Sequence, residues 1–167
     1  ALGHSAERVL RGDMPHRDFI SLYSGGLSRF HALAFYLFGI STTSMRAPLL
    51  VSSLAFLIVL YLLARRTASR PGALLVVATA LAWSVPNYFV SMPTWYNLFL
   101  HATGVYALFR YMESGRRSWL FGAGVCGGLS FAVKSVALFY VSAVFLYLTF
   151  RSQQANVSHP RQSLDVL

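Results

Sequence analysis

The stretch Ala47–Ala64, APLLVSSLAFLIVLYLLA, decides how the rest of the chain is read. It contains no Asp, Glu, Lys or Arg. Extended back to Thr43, it reaches the roughly 20 apolar residues a helix needs to cross a bilayer. Three more stretches lack charge: Pro71–Phe109, Ser118–Val133 and Ser135–Phe150. The first of these is the longest and has room for two helices and a turn, signalled by Pro86-Asn87 and then Ser91-Met92-Pro93-Thr94. The other two are short for a span. They borrow neighbours, or form a tilted or partly re-entrant hairpin around Lys134-Ser135. The expected fold is therefore all-α: a polytopic bundle of about five membrane helices, near 43–64, 71–88, 94–111, 118–134 and 135–151.

Composition agrees. Of 167 residues, 56% are hydrophobic and 11% charged, against about 45–50% and about 25% in a soluble domain. Too few polar groups are present to cover a soluble surface. This excludes a soluble globular enzyme, a disordered tail, a coiled coil and a disulfide scaffold. The net charge of +9 does not signal nucleic acid, because the basic residues sit in short clusters between apolar runs. Thirteen of the 14 basic residues are Arg; the one Lys is Lys134. The single cysteine, Cys126, lies in an apolar run and is expected to be a small buried residue.

Arginine placement sets the orientation. Arg65, Arg66 and Arg70 lie between the first and second segments, Arg110, Arg116 and Arg117 between the third and fourth, and Arg151 after the fifth. Alternating passage puts them on one face, expected to be cytoplasmic. The segment 1–30 carries Arg8, Arg11, Arg17 and Arg29 against Glu7, Asp13 and Asp18, so the outer side begins at only +1. Residues 1–42 form the outer-face region. Within it, Ala1–Arg11 fits a short amphipathic interfacial helix, ended by Gly12-Asp13-Met14-Pro15, and a polar loop His16-Arg17-Asp18-Phe19 follows. Leu27–Phe38 is too short to span and reads as a second interfacial helix, ended by Gly39. Residues 43–151 form the bundle, and 152–167 a polar, frayed cytoplasmic tail.

No phosphate-binding glycine loop, zinc-spaced Cys/His set or serine elbow is present. Gly122, Gly124, Gly127 and Gly128 are expected to allow close helix packing. Lys134 either snorkels to the interface or holds a lipid phosphate. Arg46, at the outer start of a span, either anchors there or binds a phosphate. Asp13, Arg17 and Asp18 are either a solvated loop or a working one. In the second case an Asp serves as general base, orients an acceptor hydroxyl or ligates a divalent ion. Trp95 and Tyr96 are expected as interface anchors, with Asn97 a polar group able to contact substrate. His31 and His101 are expected to be satisfied packing residues.

In order, these residues resemble the N-terminal half of the GT-C membrane glycosyltransferases, which include protein O-mannosyltransferases and the lipid A aminoarabinose transferases. Arg11-Gly12-Asp13-Met14-Pro15-His16-Arg17-Asp18-Phe19 resembles the family's G-x-x-P-Y-R-D-F, with His16 where Tyr is usual. Leu37-Phe38-Gly39 and Arg46 resemble L-F-G-x-S…R. Met92-Pro93-Thr94-Trp95-Tyr96-Asn97 resembles the P-S-Y-N turn of bacterial members. Gly127-Gly128-Leu129-Ser130-Phe131-Ala132-Val133-Lys134 resembles G-L-x-x-x-x-K.

The resemblance implies transfer of a sugar from a polyprenyl-phosphate carrier to a glycan, lipid or protein acceptor on the extracytoplasmic face of a bacterial inner membrane. Membrane lipids are partners and nucleic acid is not. Asp18 and Asp13 are the acidic catalytic candidates; Lys134, Arg46, Arg17, Tyr96 and Asn97 are the substrate-binding ones. No metal ligands are assigned, no cofactor is certain, and a divalent metal is left open. The family's main acid follows its first membrane helix, which would fall before Ala1. The chain is thus expected to be a piece of a longer enzyme and inactive alone. The alternative is a non-enzymatic multi-span protein, such as a transporter subunit or structural module.

Overall fold

The computed structural model describes residues 2–83 and 90–158, the last four by backbone alone. Seven helices are present among them: α1 (Leu2–Leu10), α2 (Gly26–Phe38), α3 (Thr42–Ala64), α4 (Arg70–Trp83), α5 (Pro93–Ser114), α6 (Arg117–Val133) and α7 (Ala137–Ser158). The only strand-like feature among the described residues is an isolated bridge between Pro15 and Phe19. The all-helical expectation holds.

Local chemistry explains the boundaries. Ser41 caps α3 by accepting from the Ser44 amide (3.0 Å). Pro93 opens α5, where a missing amide hydrogen is harmless. Gly115, at φ 66°, closes α5 in the left-handed region and lets the chain reverse into α6. At Lys134 the backbone becomes extended (φ −160°, ψ 135°), which separates α6 from α7 where the hairpin was expected. The expected Pro86-Asn87 turn lies outside the described residues.

One helix, α3, is long and apolar enough to cross a membrane; α4 is apolar but shorter. Only 11% of the α3 apolar window is buried in the protein. Val51 and Ile58 are 67% and 63% exposed. A soluble core helix would hide such residues, so α3 has the exposure of a lipid-facing span. The other helices are less purely apolar: α5 carries Asn97, His101, Arg110 and Glu113 along its length. α7 continues to Ser158, several residues past the expected start of the frayed tail at Ser152. Helical propagation needs no apolar residues once a long segment has nucleated it.

α3 and α5 run side by side in the same direction. Leu49 packs with Tyr96 near their first turns. At their far ends, Arg66 is bonded to Glu113 through both guanidinium nitrogens (2.5 and 3.2 Å). α6 returns along α5, with His101 bonded to Ser130 (2.8 Å). Tyr140 of α7 stacks on His101 with centroids 4.9 Å apart. Among the four glycines of α6, only Gly127 makes the expected close approach, to Val141 and Tyr140. Gly122, Gly124 and Gly128 face open space, because α6 meets its neighbours along a single stripe. Gly104 of α5 makes another close approach, against Tyr140 and Cys126.

Fully buried side chains concentrate where α1 and α2 fold over the first turns of α3 and α5. Gly26 marks a tight seam between backbones: a methyl there would collide with the Ala132 carbonyl at the end of α6.

Candidate functional site

The charged loop after α1 is built around Arg8. Its Nε donates to Asp13 Oδ2 (2.6 Å), and a terminal nitrogen donates to the Asp18 carbonyl (3.0 Å). Its guanidinium also lies 4.7 Å from the centre of the Phe19 ring. Asp18 turns inward within the loop. Oδ2 accepts from the Met14 amide (2.8 Å), and both carboxylate oxygens accept from Arg17 (3.0 and 2.8 Å). The Arg17 bond, helped by the Met14 amide, holds the Asp18 carboxyl below its usual range.

His16 takes a left-handed backbone at φ 67°. Its amide donates to the Phe19 carbonyl (2.9 Å), and Nε2 donates to the Tyr23 carbonyl (2.9 Å). Gly25, at φ 83°, leaves room for the Pro15 ring, which a Cβ would approach at 2.9 Å. Met14-Pro15-His16-Arg17-Asp18 is therefore a closed, internally bonded turn.

Beside it opens a cavity of about 750 Å³. α1 contributes Leu2, His4 and Arg8; the chain after the loop contributes Phe19 and Tyr23; the lead into α5 contributes Ser91. Ser91 belongs to a buried polar trio. Its hydroxyl is 2.8 Å from His31 Nε2 and 2.9 Å from the Tyr96 hydroxyl, and His31 and Tyr96 are 3.3 Å apart. Behind Tyr96 is a second, apolar cavity of about 300 Å³, lined by Leu27, Phe30, Phe99 and Leu129 among others. Ser91 lines the first cavity and Tyr96 the second. Burial pushes the His31 imidazole down to about 4, so it is neutral at ordinary pH.

The candidates from sequence fall into three groups. Asp13, Arg17 and Asp18 converge in the loop, yet both carboxylates are already engaged by cations. Lys134, half-buried at the end of α6, places Nζ 5.8 Å from the centre of the Tyr23 ring, and Tyr23 lines the large cavity. Arg46 stands apart, exposed on the first turn of α3, although its neighbour Met45 lines the cavity. Tyr96 is 5% exposed, which corrects the expectation that it anchors at an interface; Asn97 is buried to the same extent. α1 and α2 cover the start of α5. Both amide atoms of Asn97 lack a partner among the described residues. No group of three His, Cys, Asp or Glu able to hold a metal occurs among the described residues.

Sequence reasoning counted Arg8 only among the charges of the first segment and did not single it out. The signal was available: a cation in the last turn of a helix, with Asp just past a glycine stop. The Ser91 contact to His31 joins positions far apart in the chain and had no local signature.

Residues 27–166 match the sequence profile of the dolichyl-phosphate-mannose-protein mannosyltransferases. The chain belongs to this family. Membership makes it part of a membrane glycosyltransferase family of the GT-C type, as the ordered motifs had implied. The match covers α2 to α7, with Arg46, Tyr96, Asn97 and Lys134, and begins after the charged loop. No curated protein and no solved structure matches the chain.

Proposed function

We propose that the chain forms the N-terminal half of an enzyme that moves a sugar from a polyprenyl-phosphate carrier to an acceptor hydroxyl on the extracytoplasmic face of a membrane. In this reading five segments cross the bilayer, and α1, α2 and the charged loop lie at the outer face. The membrane is taken to be a bacterial inner membrane. The single observation that carries the reading is the placement of Lys134. Its ammonium stands 5.8 Å from the ring of Tyr23, a residue that lines the large cavity, at the end of the bundle that also holds the loop.

The chemistry needs such a cation. The bond from the sugar anomeric carbon to the phosphate oxygen breaks, and a bond to the acceptor oxygen forms. The leaving polyprenyl phosphate gains negative charge as it departs. A fixed cation in a water-poor site stabilises that charge more in the transition state than in the ground state. Lys134 supplies it, with Arg46 as a second cation for the carrier at the membrane edge. The acceptor proton passes to a carboxylate. Asp13 already accepts from Arg8, and Asp18 from Arg17, which makes Asp18 a weak base. Their role in this reading is to shape the loop that borders the cavity, while Arg17 faces substrate. A carboxylate other than these two takes the proton. Tyr96, which lines the second cavity, and the buried Asn97 are assigned to the acceptor side.

The test is transfer from a labelled polyprenyl-phosphate sugar by the complete gene product in detergent or vesicles. Transfer that needs Lys134 supports the reading. A complete product that transfers no sugar from any such carrier supports the non-enzymatic alternative.

A further inference from the structure

The end of the bundle away from the loop has no part in this reaction, yet among the described residues it carries the larger net charge. Arg65, Arg66, Arg70, Arg110, Arg116 and Arg117 gather there. Arg151 joins them one turn beyond Tyr147, whose hydroxyl donates to the Met112 sulfur (3.3 Å). Among the described residues the one acid at this end is Glu113, so seven arginines against one glutamate leave +6.

The inner cations are committed. Glu113 accepts from both Arg66 and Arg110. Arg66 lies 4.9 Å from the centre of the Phe109 ring and Arg110 lies 5.6 Å from that of Trp119. Arg65 donates to the Ala68 carbonyl (2.8 Å). Arg70, Arg116, Arg117 and Arg151 are exposed and have no carboxylate partner among the described residues.

Two of the free arginines sit above apolar shoulders. Leu74 follows Arg70, and Phe121 follows Arg117, each one helical turn on and so on the same helix face. Leu74 and Phe121 are 59% and 75% exposed. A phosphate with hydrocarbon tails has this division of chemistry along one axis. A free phosphate ester would account for the arginines and leave the shoulders unexplained. The residue type adds to the case. Lysine would serve a simple charge bias equally well, whereas the arginine fork matches phosphate oxygens two at a time.

We propose that this end binds the phosphate headgroups of anionic phospholipids, with their acyl chains lying along Leu74 and Phe121. The site is separate from the sugar-transfer reading and stands if that reading fails.

The experiment is native mass spectrometry of the full chain released from micelles holding equal phosphatidylglycerol and phosphatidylcholine. The wild type should retain phosphatidylglycerol preferentially. R116Q/R117Q should lower that retention by about tenfold or more. R11Q/R29Q removes the same charge from the opposite end and should leave retention unchanged. R70Q/R151Q gives the same test should R116Q/R117Q fail to fold. Equal retention of the two lipids, equal loss in both charge-matched pairs, or full displacement of the lipid by excess inorganic phosphate would each overturn the proposal.

Discussion

Arg8 Nε and Asp13 Oδ2 lie 2.6 Å apart across the glycine turn that ends α1. The same guanidinium reaches the Asp18 carbonyl and covers the Phe19 ring. One side chain therefore ties the first helix to both ends of the loop and also lines the large cavity. Positioning of this kind is sensitive to small displacements. R8Q should lower sugar transfer by the complete enzyme by about tenfold or more, because misplaced site residues carry penalties of that order. It should also expose the 12–19 segment to proteolysis. D13N should reproduce the protease effect. Wild-type cleavage rates in both variants would show that the pair does not hold the loop.

Lys134 lies on the seam between α6 and α7, with its own amide bonded to Ser130 (2.9 Å). Its backbone role does not depend on its side chain, so substitution tests the charge. K134Q should reduce kcat for transfer by about a hundredfold, the usual effect of losing one group aimed at developing charge. K134R should recover part of the loss. Unchanged kcat in K134Q, measured with saturating carrier, would remove the ammonium from the reaction.

His31 gives the fold a pH dependence with a definite sign. Burial places its imidazole near 4, whereas an unfolded chain holds it near about 6.5. Between those values the unfolded state binds more protons, so stability falls as the pH drops from about 6.5 toward 4. Above that window His31 contributes no slope. The limit is about 1.4 kcal/mol for each pH unit. Asp18, with its lowered range, adds loss of the same sign only at more acidic pH. Thermal melts at pH 7 and pH 5 should show the drop in the wild type and a smaller one in H31Q. An equal drop in both would assign the acid sensitivity elsewhere.

Much of the fold was legible because hydrophobic runs and helix stops are local. Gly12 and Gly39 end helices where the sequence placed the stops, and Lys134 breaks the last apolar run as its charge suggested. Two features were hidden. The burial of Tyr96 and Asn97 depends on α1 and α2 folding over the start of α5, a contact between segments distant in the chain that no local pattern encodes. The glycines of α6 looked alike in sequence and separate only by helix face: Gly127 meets α7, and Gly128, the very next residue, meets nothing. Of the candidate site, the loop and Lys134 were readable from charge set against apolar surroundings. The partners that neutralise Asp13 and Asp18 were not, because an ion pair is made by geometry.

The contrast between glycines gives the sharpest packing test. A Cβ on Gly26 would run into the Ala132 backbone carbonyl, which has no rotamer to move aside. α2 must then lift from the end of α6, just before Lys134. Overpacking of this kind costs typically about 1–3 kcal/mol. G26A should lower the unfolding midpoint in detergent and also weaken sugar transfer, since the same shift carries Tyr23 and Lys134 apart. G128A, which meets open space in a helix interior, should be neutral or slightly stabilising, as replacing a helical glycine commonly is. Matching midpoints for G26A and the wild type would mean that the α2 and α6 seam is looser than the Ala132 contact implies.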